Sequence, residues 1–72
     1  MSGSETTVLW RLRTPRHESA YAAILPGGPP FTLAFFVAGQ LDRAENYDTL
    51  DLAVFRAEDV KRSLVAEGWS ED

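Results

Sequence analysis

From Thr7 to Arg13 apolar and polar positions alternate: Val8, Trp10 and Leu12 on one side, Leu9, Arg11 and Arg13 on the other. Period two with β-branched and aromatic residues predicts a half-buried strand. Thr14-Pro15-Arg16-His17 reads as a turn, because Pro15 cannot donate to a ladder. A second strand is predicted over Ser19–Leu25, with Tyr21, Ala23 and Leu25 on one face and Ala20, Ala22 and Ile24 on the other. Pro26-Gly27-Gly28-Pro29-Pro30 is the strongest break in the chain and joins this strand to a third, Phe31–Ala38, as a hairpin. There Phe31, Leu33, Phe35 and Val37 oppose Thr32, Ala34, Phe36 and Ala38. Gly39 ends the third strand, and Gln40–Asp48 reads as a polar connection with room for a short edge extension.

The last third changes period. Between Thr49 and Glu67, at about 100° per residue, Leu50, Ala53, Val54, Ala57, Val60, Leu64 and Val65 fall on one arc. Asp48 or Thr49 supplies the N-cap oxygen, and Gly68 suits a left-handed stop. Lys61 and Arg62 lie late in the helix, where its dipole favours cations, and Glu58 precedes Arg62 by one turn. Leu52 and Phe55 fall on the polar side of the wheel. A competing reading therefore makes Thr49–Phe55 a fourth strand with the helix starting near Ala57; the longer helix is preferred, which leaves Leu52 and Phe55 as an outward apolar spot.

The expected architecture is α+β: a three-stranded antiparallel sheet (βββα) packed on one C-terminal helix. Residues 1–6 form a flexible tail, 7–69 one domain and 70–72 a frayed acidic end. The expected core is Val8, Trp10, Leu12, Tyr21, Ala23, Leu33, Phe35, Val37, Leu50, Ala53, Ala57, Val60, Leu64 and Trp69. Seventy-two residues hold one domain. A domain this small buries only about 60% of the surface its unfolded chain exposes and gains from further burial. With no cysteine, disulfides and thiolate metal sites are excluded, leaving packing, self-association or a partner protein. The first residues carry neither a basic region nor an apolar run, and the longest apolar stretch is too short to span a bilayer, so a soluble cytoplasmic protein is expected. A net charge of −4 argues against duplex nucleic acid as a partner.

Few residues carry chemistry. His17, the only histidine, sits in or beside a turn with no orienting partner in view, and reads as an exposed turn residue rather than a general base. Asp42, Glu45, Asp48 and Asp51 recur every third residue; without EF-hand spacing or a central glycine they read as a solvated acidic series, not a metal site. With Glu58 and Asp59 they offer a second functional reading, an acidic inhibitor that competes with nucleic acid, as phage antagonists of bacterial defence nucleases do. Arg11, Arg13 and Arg16 form the only basic cluster: a strand-borne nucleic-acid contact, or charge that keeps an edge strand soluble. The glycines of the hairpin turn lack the lysine and serine of a phosphate loop. No cofactor, metal or small-molecule substrate is implied, and an enzyme is not expected.

What remains is apolar surface. One helix covers one face of a sheet, and the second face is expected to carry Ile24, Phe36 and several alanines. With Leu52 and Phe55 this points to a non-enzymatic interaction or regulatory module, pairing with a second copy or another protein. Trp10 and Leu12, Gly39 and Leu41, and Leu64, Gly68 and Trp69 give the chain a pattern that resembles small, largely uncharacterised bacterial proteins of three strands and a helix ending in Gly-Trp. That resemblance implies a layout and no activity. The element order is also similar to MbtH-like proteins, which assist adenylating enzymes, but neither Trp10 nor Trp69 precedes the proline of their signature. HicB-like antitoxins are similar in layout only; their DNA-binding segment has no counterpart here.

Overall fold

Residues 6–72 are described by a computed structural model; the expected tail over Met1–Glu5 lies outside the described residues. Five strands and a helix follow in the order β1 (Thr7–Arg13), β2 (Ser19–Ile24), β3 (Phe31–Val37), β4 (Gln40–Tyr47), α1 (Leu50–Ala66) and β5 (Ser70–Glu71). They form one antiparallel sheet in the order β4-β3-β2-β1-β5, with α1 packed on one face. The α+β class and the single C-terminal helix agree with expectation; the strand count does not.

Two strands were not anticipated. Gln40–Tyr47 pairs along the whole of β3 through a two-residue turn, Ala38-Gly39, whose residues both have positive φ (53° and 79°). That backbone matches the twist of a tight hairpin, but its usual marker is Asn-Gly or Asp-Gly. Alanine in the first position hides the turn. β4 is polar and lacks the β-branched residues that announce a strand, which suits a sheet edge. At the other end, Ser70–Asp72 does not fray: β5 pairs with Leu12 and Arg13, and the Asp72 N–H donates to the Arg11 carbonyl at 3.0 Å.

The helix begins where its cap allows. The Thr49 side chain accepts from the Leu52 N–H at 3.3 Å, and the segment from Leu50 is helical, so the fourth-strand reading of Thr49–Phe55 does not hold. At the far end Gly68 takes φ 112°, its N–H donates to the Val65 carbonyl, and the Trp69 N–H reaches the Leu64 carbonyl at 3.1 Å. This is the glycine-dependent stop that closes orphan carbonyls, and it turns Trp69 back onto the core. The expected Glu58–Arg62 pair is replaced by Arg62–Asp59 at 3.4 Å.

Cross-strand neighbours share a face, so the register shows how the core is made. Trp10, Ala22 and Phe35 lie in one row on the helix side, and Ile24 and Leu33 in the next. Ala22 is small enough for the rings of Trp10 and Phe35 to approach to 6.3 Å across it. Ala53 and Ala57, one turn apart, bring the helix close to the sheet, where the buried Trp10 indole N–H donates to the Ala57 carbonyl at 2.8 Å. A buried indole without that partner would cost about 1–3 kcal/mol.

Several expected core positions fall elsewhere. β2 was expected to turn Tyr21 and Ala23 inward and Ile24 outward; the reverse holds. Ile24 is buried under the helix, while Tyr21 and Ala23 face away from it; Ala23 is nevertheless fully buried, as expected of it, among its strand neighbours. The strand Ser-Ala-Tyr-Ala-Ala-Ile is apolar on both sides, so its alternation does not choose a face; the large side chains opposite Ala20 and Ala22 do. In β1 the ladder slips between Val8 and Trp10. This bulge adds Leu9 to the helix side beside Trp10 and leaves Val8 on the other face. Val8, Val37 and Leu50 are exposed rather than core.

Candidate functional site

The face of the sheet opposite α1 is not covered by any element among the described residues. One row of side chains crosses it: Arg11 on β1, Tyr21 on β2, Phe36 on β3 and Leu41 on β4. Tyr21 and Phe36 stack at 4.6 Å with 12° between their planes, forming an aromatic ridge at the centre. The next row, Val8, Ala23, Ala34 and Ala44, is small in its middle. Beside the ridge lies a hollow of about 590 Å³, bordered by Val8, Arg11, Tyr21, Leu25, Phe36 and Asp72. Its lining is mixed: apolar side chains, the hydroxyls of Thr6 and Ser19, and one charge of each sign.

Phe36 was expected on this face and is there, half-buried against Tyr21. Ile24 was also expected here and is instead in the core, for the reason given above. Tyr21 is the surface residue that sequence reasoning missed. Its signal was the direct pairing with Phe36, which is readable only once the length of the Pro26–Pro30 turn fixes the register. Leu52 and Phe55 are exposed, Phe55 to 69%, on the outward side of α1. They therefore lie on the opposite side of the molecule from the ridge, and the two apolar features are not one surface.

The charged series do not gather. Arg11 stands beside Tyr21 on the open face, Arg13 pairs with Asp72 at 3.5 Å, and Arg16 borders a separate hollow with Pro15, Glu18 and Gly68. In the acidic series Asp51 sits in the first turn of α1, where the dipole favours it, and Asp48 precedes the cap. Asp42 is the extra residue where the β3–β4 ladder shifts.

Glu45 points to the helix side and is tied down there. The Tyr47 hydroxyl donates to its Oε1 at 2.6 Å, the Arg56 Nε at 3.2 Å, and Arg43 lies 3.8 Å from Oε2. The Tyr47 hydrogen bond, then Arg56 and Arg43, hold the Glu45 carboxyl below its ordinary pKa against the opposing effect of burial. The same hydrogen bond and burial push Tyr47 up. Arg43 also lies 5.2 Å over the Phe35 ring. This network fastens the edge strand β4 to α1. Among the described residues no three His, Cys, Asp or Glu side chains are grouped to hold a metal ion, and His17 occupies the β1–β2 turn with φ 68°. No helix there is long and apolar enough to cross a membrane.

Comparison with known protein families, curated proteins and solved structures found no match for this chain.

Proposed function

We propose that this chain is a non-enzymatic interaction module that pairs with a second copy of itself through the open face of the sheet. The observation that carries this reading is the Tyr21–Phe36 ridge standing beside a hollow on an uncovered face. A two-fold axis brings the same patch against itself, so the patch must be its own complement. A ridge next to a hollow meets that demand, because each ridge can enter the other copy's hollow. The rim supports it with both signs of charge: Arg11 of one copy can approach Asp72 of the other.

Size sets the expected strength. Five strands of up to eight residues offer a flat footprint of about 19 by 23 Å, on the order of 440 Å². A standard stable interface buries about 800 Å² per partner. The dimer is therefore expected to be weak and concentration-dependent, forming in the micromolar to millimolar range. Sedimentation equilibrium over that range tests it. Leu41→Glu is the informative variant, because Leu41 lies on the ridge row and is 57% exposed, so folding tolerates the change. The wild-type chain should shift toward the dimer mass as concentration rises, and the variant should stay monomeric. A wild-type chain monomeric at millimolar concentration, or a variant that dimerises equally well, contradicts the proposal.

A further inference from the structure

We propose that a groove at the start of α1 binds a small, uncharged, apolar molecule about the size of two fused rings. The site is separate from the open face and does not depend on it.

The groove lies where the first turns of α1 meet the β2–β3 turn. Leu9, Ile24, Leu25 and Phe31 reach it from the sheet and its turn, Leu50 and Val54 from the helix. It marks an unfilled end of the core. Leu50 and Val54 lie on the arc of α1 that carries Ala53 and Ala57, and a filled core would bury all four. The two alanines are fully buried, but Leu50 and Val54 keep 46% and 36% of their surface exposed. The sheet side is held in place by the turn. A Cβ at Gly28 would lie 2.9 Å from Phe31 Cδ1. With none there, the Phe31 ring packs directly against the turn, and the backbone fixes that part of the groove.

The lining decides the chemistry of the ligand. It holds no charged residue, and Thr7 is the one residue in it with a polar side chain. A charged group entering the groove would lose hydration and find no partner. Volume decides the size. The groove measures about 290 Å³. An apolar cavity of about 150 Å³ takes a single benzene ring, so this one has room for two. The same comparison argues against larger occupants, because an α-helix with its side chains is about 10 Å across. A protruding ring of a second copy, such as Phe55, exposed to 69%, would fill only about half of it.

The test is titration of quinoline into the full chain, ¹³C-labelled at its Ile, Leu and Val methyls and kept dilute enough to be monomeric. Saturating shifts of the Leu9, Ile24, Leu25, Leu50 and Val54 methyls are expected, with a dissociation constant on the order of 0.1–1 mM. N-methylquinolinium has the same two rings and a fixed positive charge. It should bind at least about tenfold more weakly, although the net charge of −4 attracts it. Val54→Glu, at a position already part-exposed, should weaken quinoline by a similar factor. Phe55→Ser, outside the lining, should leave binding unchanged. Equal binding of the cation, an equal loss in Phe55→Ser, or shifts centred on Val8 and Leu41 of the open face would each overturn the proposal. So would movement of the groove methyls with protein concentration alone, which would put a second copy there, or no shifts at millimolar quinoline. The dimer mass is read without ligand, so failure of either contact leaves the other standing.

Discussion

The two faces of this sheet are made by the same residues of β2 and β3, taken alternately, and they end in opposite conditions. On the helix side, Trp10, Phe35, Ile24 and Leu33 surround Ala22 and are closed over by Ala53 and Ala57. On the other side, Tyr21 and Phe36 stack on each other with nothing above them among the described residues. Both faces use aromatic rings and alanines, so composition does not separate them. What separates them is where the one helix lands, and that is set by two residues small enough to let it approach and one indole that bonds to its backbone. The covered face is a finished core. The open face has a core's ingredients and lacks a lid.

That contrast breaks most visibly at its buried end. Leu33 is fully buried, and Leu33→Ala should cost about 2–5 kcal/mol, whereas Leu41→Ala on the open face should stay within about 0.5 kcal/mol. Urea unfolding followed by circular dichroism measures both. A domain of this length has about 4–10 kcal/mol in total, so the first change should leave it close to unfolded. Equal costs at the two sites would mean that the faces do not differ as described.

A smaller effect is expected at the helix stop. Gly68 has φ 112°, a conformation costly for any side chain, although a Cβ there would meet no neighbour within 4 Å. Gly68→Ala should therefore cost about 1–2 kcal/mol through backbone strain alone, and loosen Trp69 from the core with a change in tryptophan fluorescence. The smallest effect concerns the polar tie between β4 and α1. Glu45 is held below its ordinary pKa, so its contribution is complete above the unfolded-state value and is lost as pH falls through the folded one. Tyr47, raised by the same bond, contributes below its ordinary pKa and loses that contribution as pH rises through its folded value. Glu45→Gln should flatten the acid limb of stability against pH, by about 1 kcal/mol or less for a pair this open to solvent.

Legibility followed local chemistry. The hairpin turn, the three apolar strands and the helix with its glycine stop are written in short-range signals, and each appears within a residue or two of its expected place. β4 was not legible because Ala38 masks a tight turn and an edge strand has no need of an apolar face. The facing of β2 was not legible because a strand apolar on both sides takes its orientation from its neighbours' bulk. The site inherited that ambiguity. Phe36, Leu52 and Phe55 were identifiable as outward residues, while Tyr21 and Ile24 exchanged roles as soon as the register was known.

The open face is the centre of the account, and it can be examined directly. A sample mixing ¹³C-labelled and unlabelled chains at millimolar concentration reports contacts between copies by isotope-filtered nuclear Overhauser spectroscopy. Cross-peaks joining the Tyr21 and Phe36 rings of one copy to Val8, Leu25 or Leu41 of the other are predicted. Cross-peaks through Leu52 and Phe55 instead, or none at all, would contradict the claim that the open face is where two copies meet.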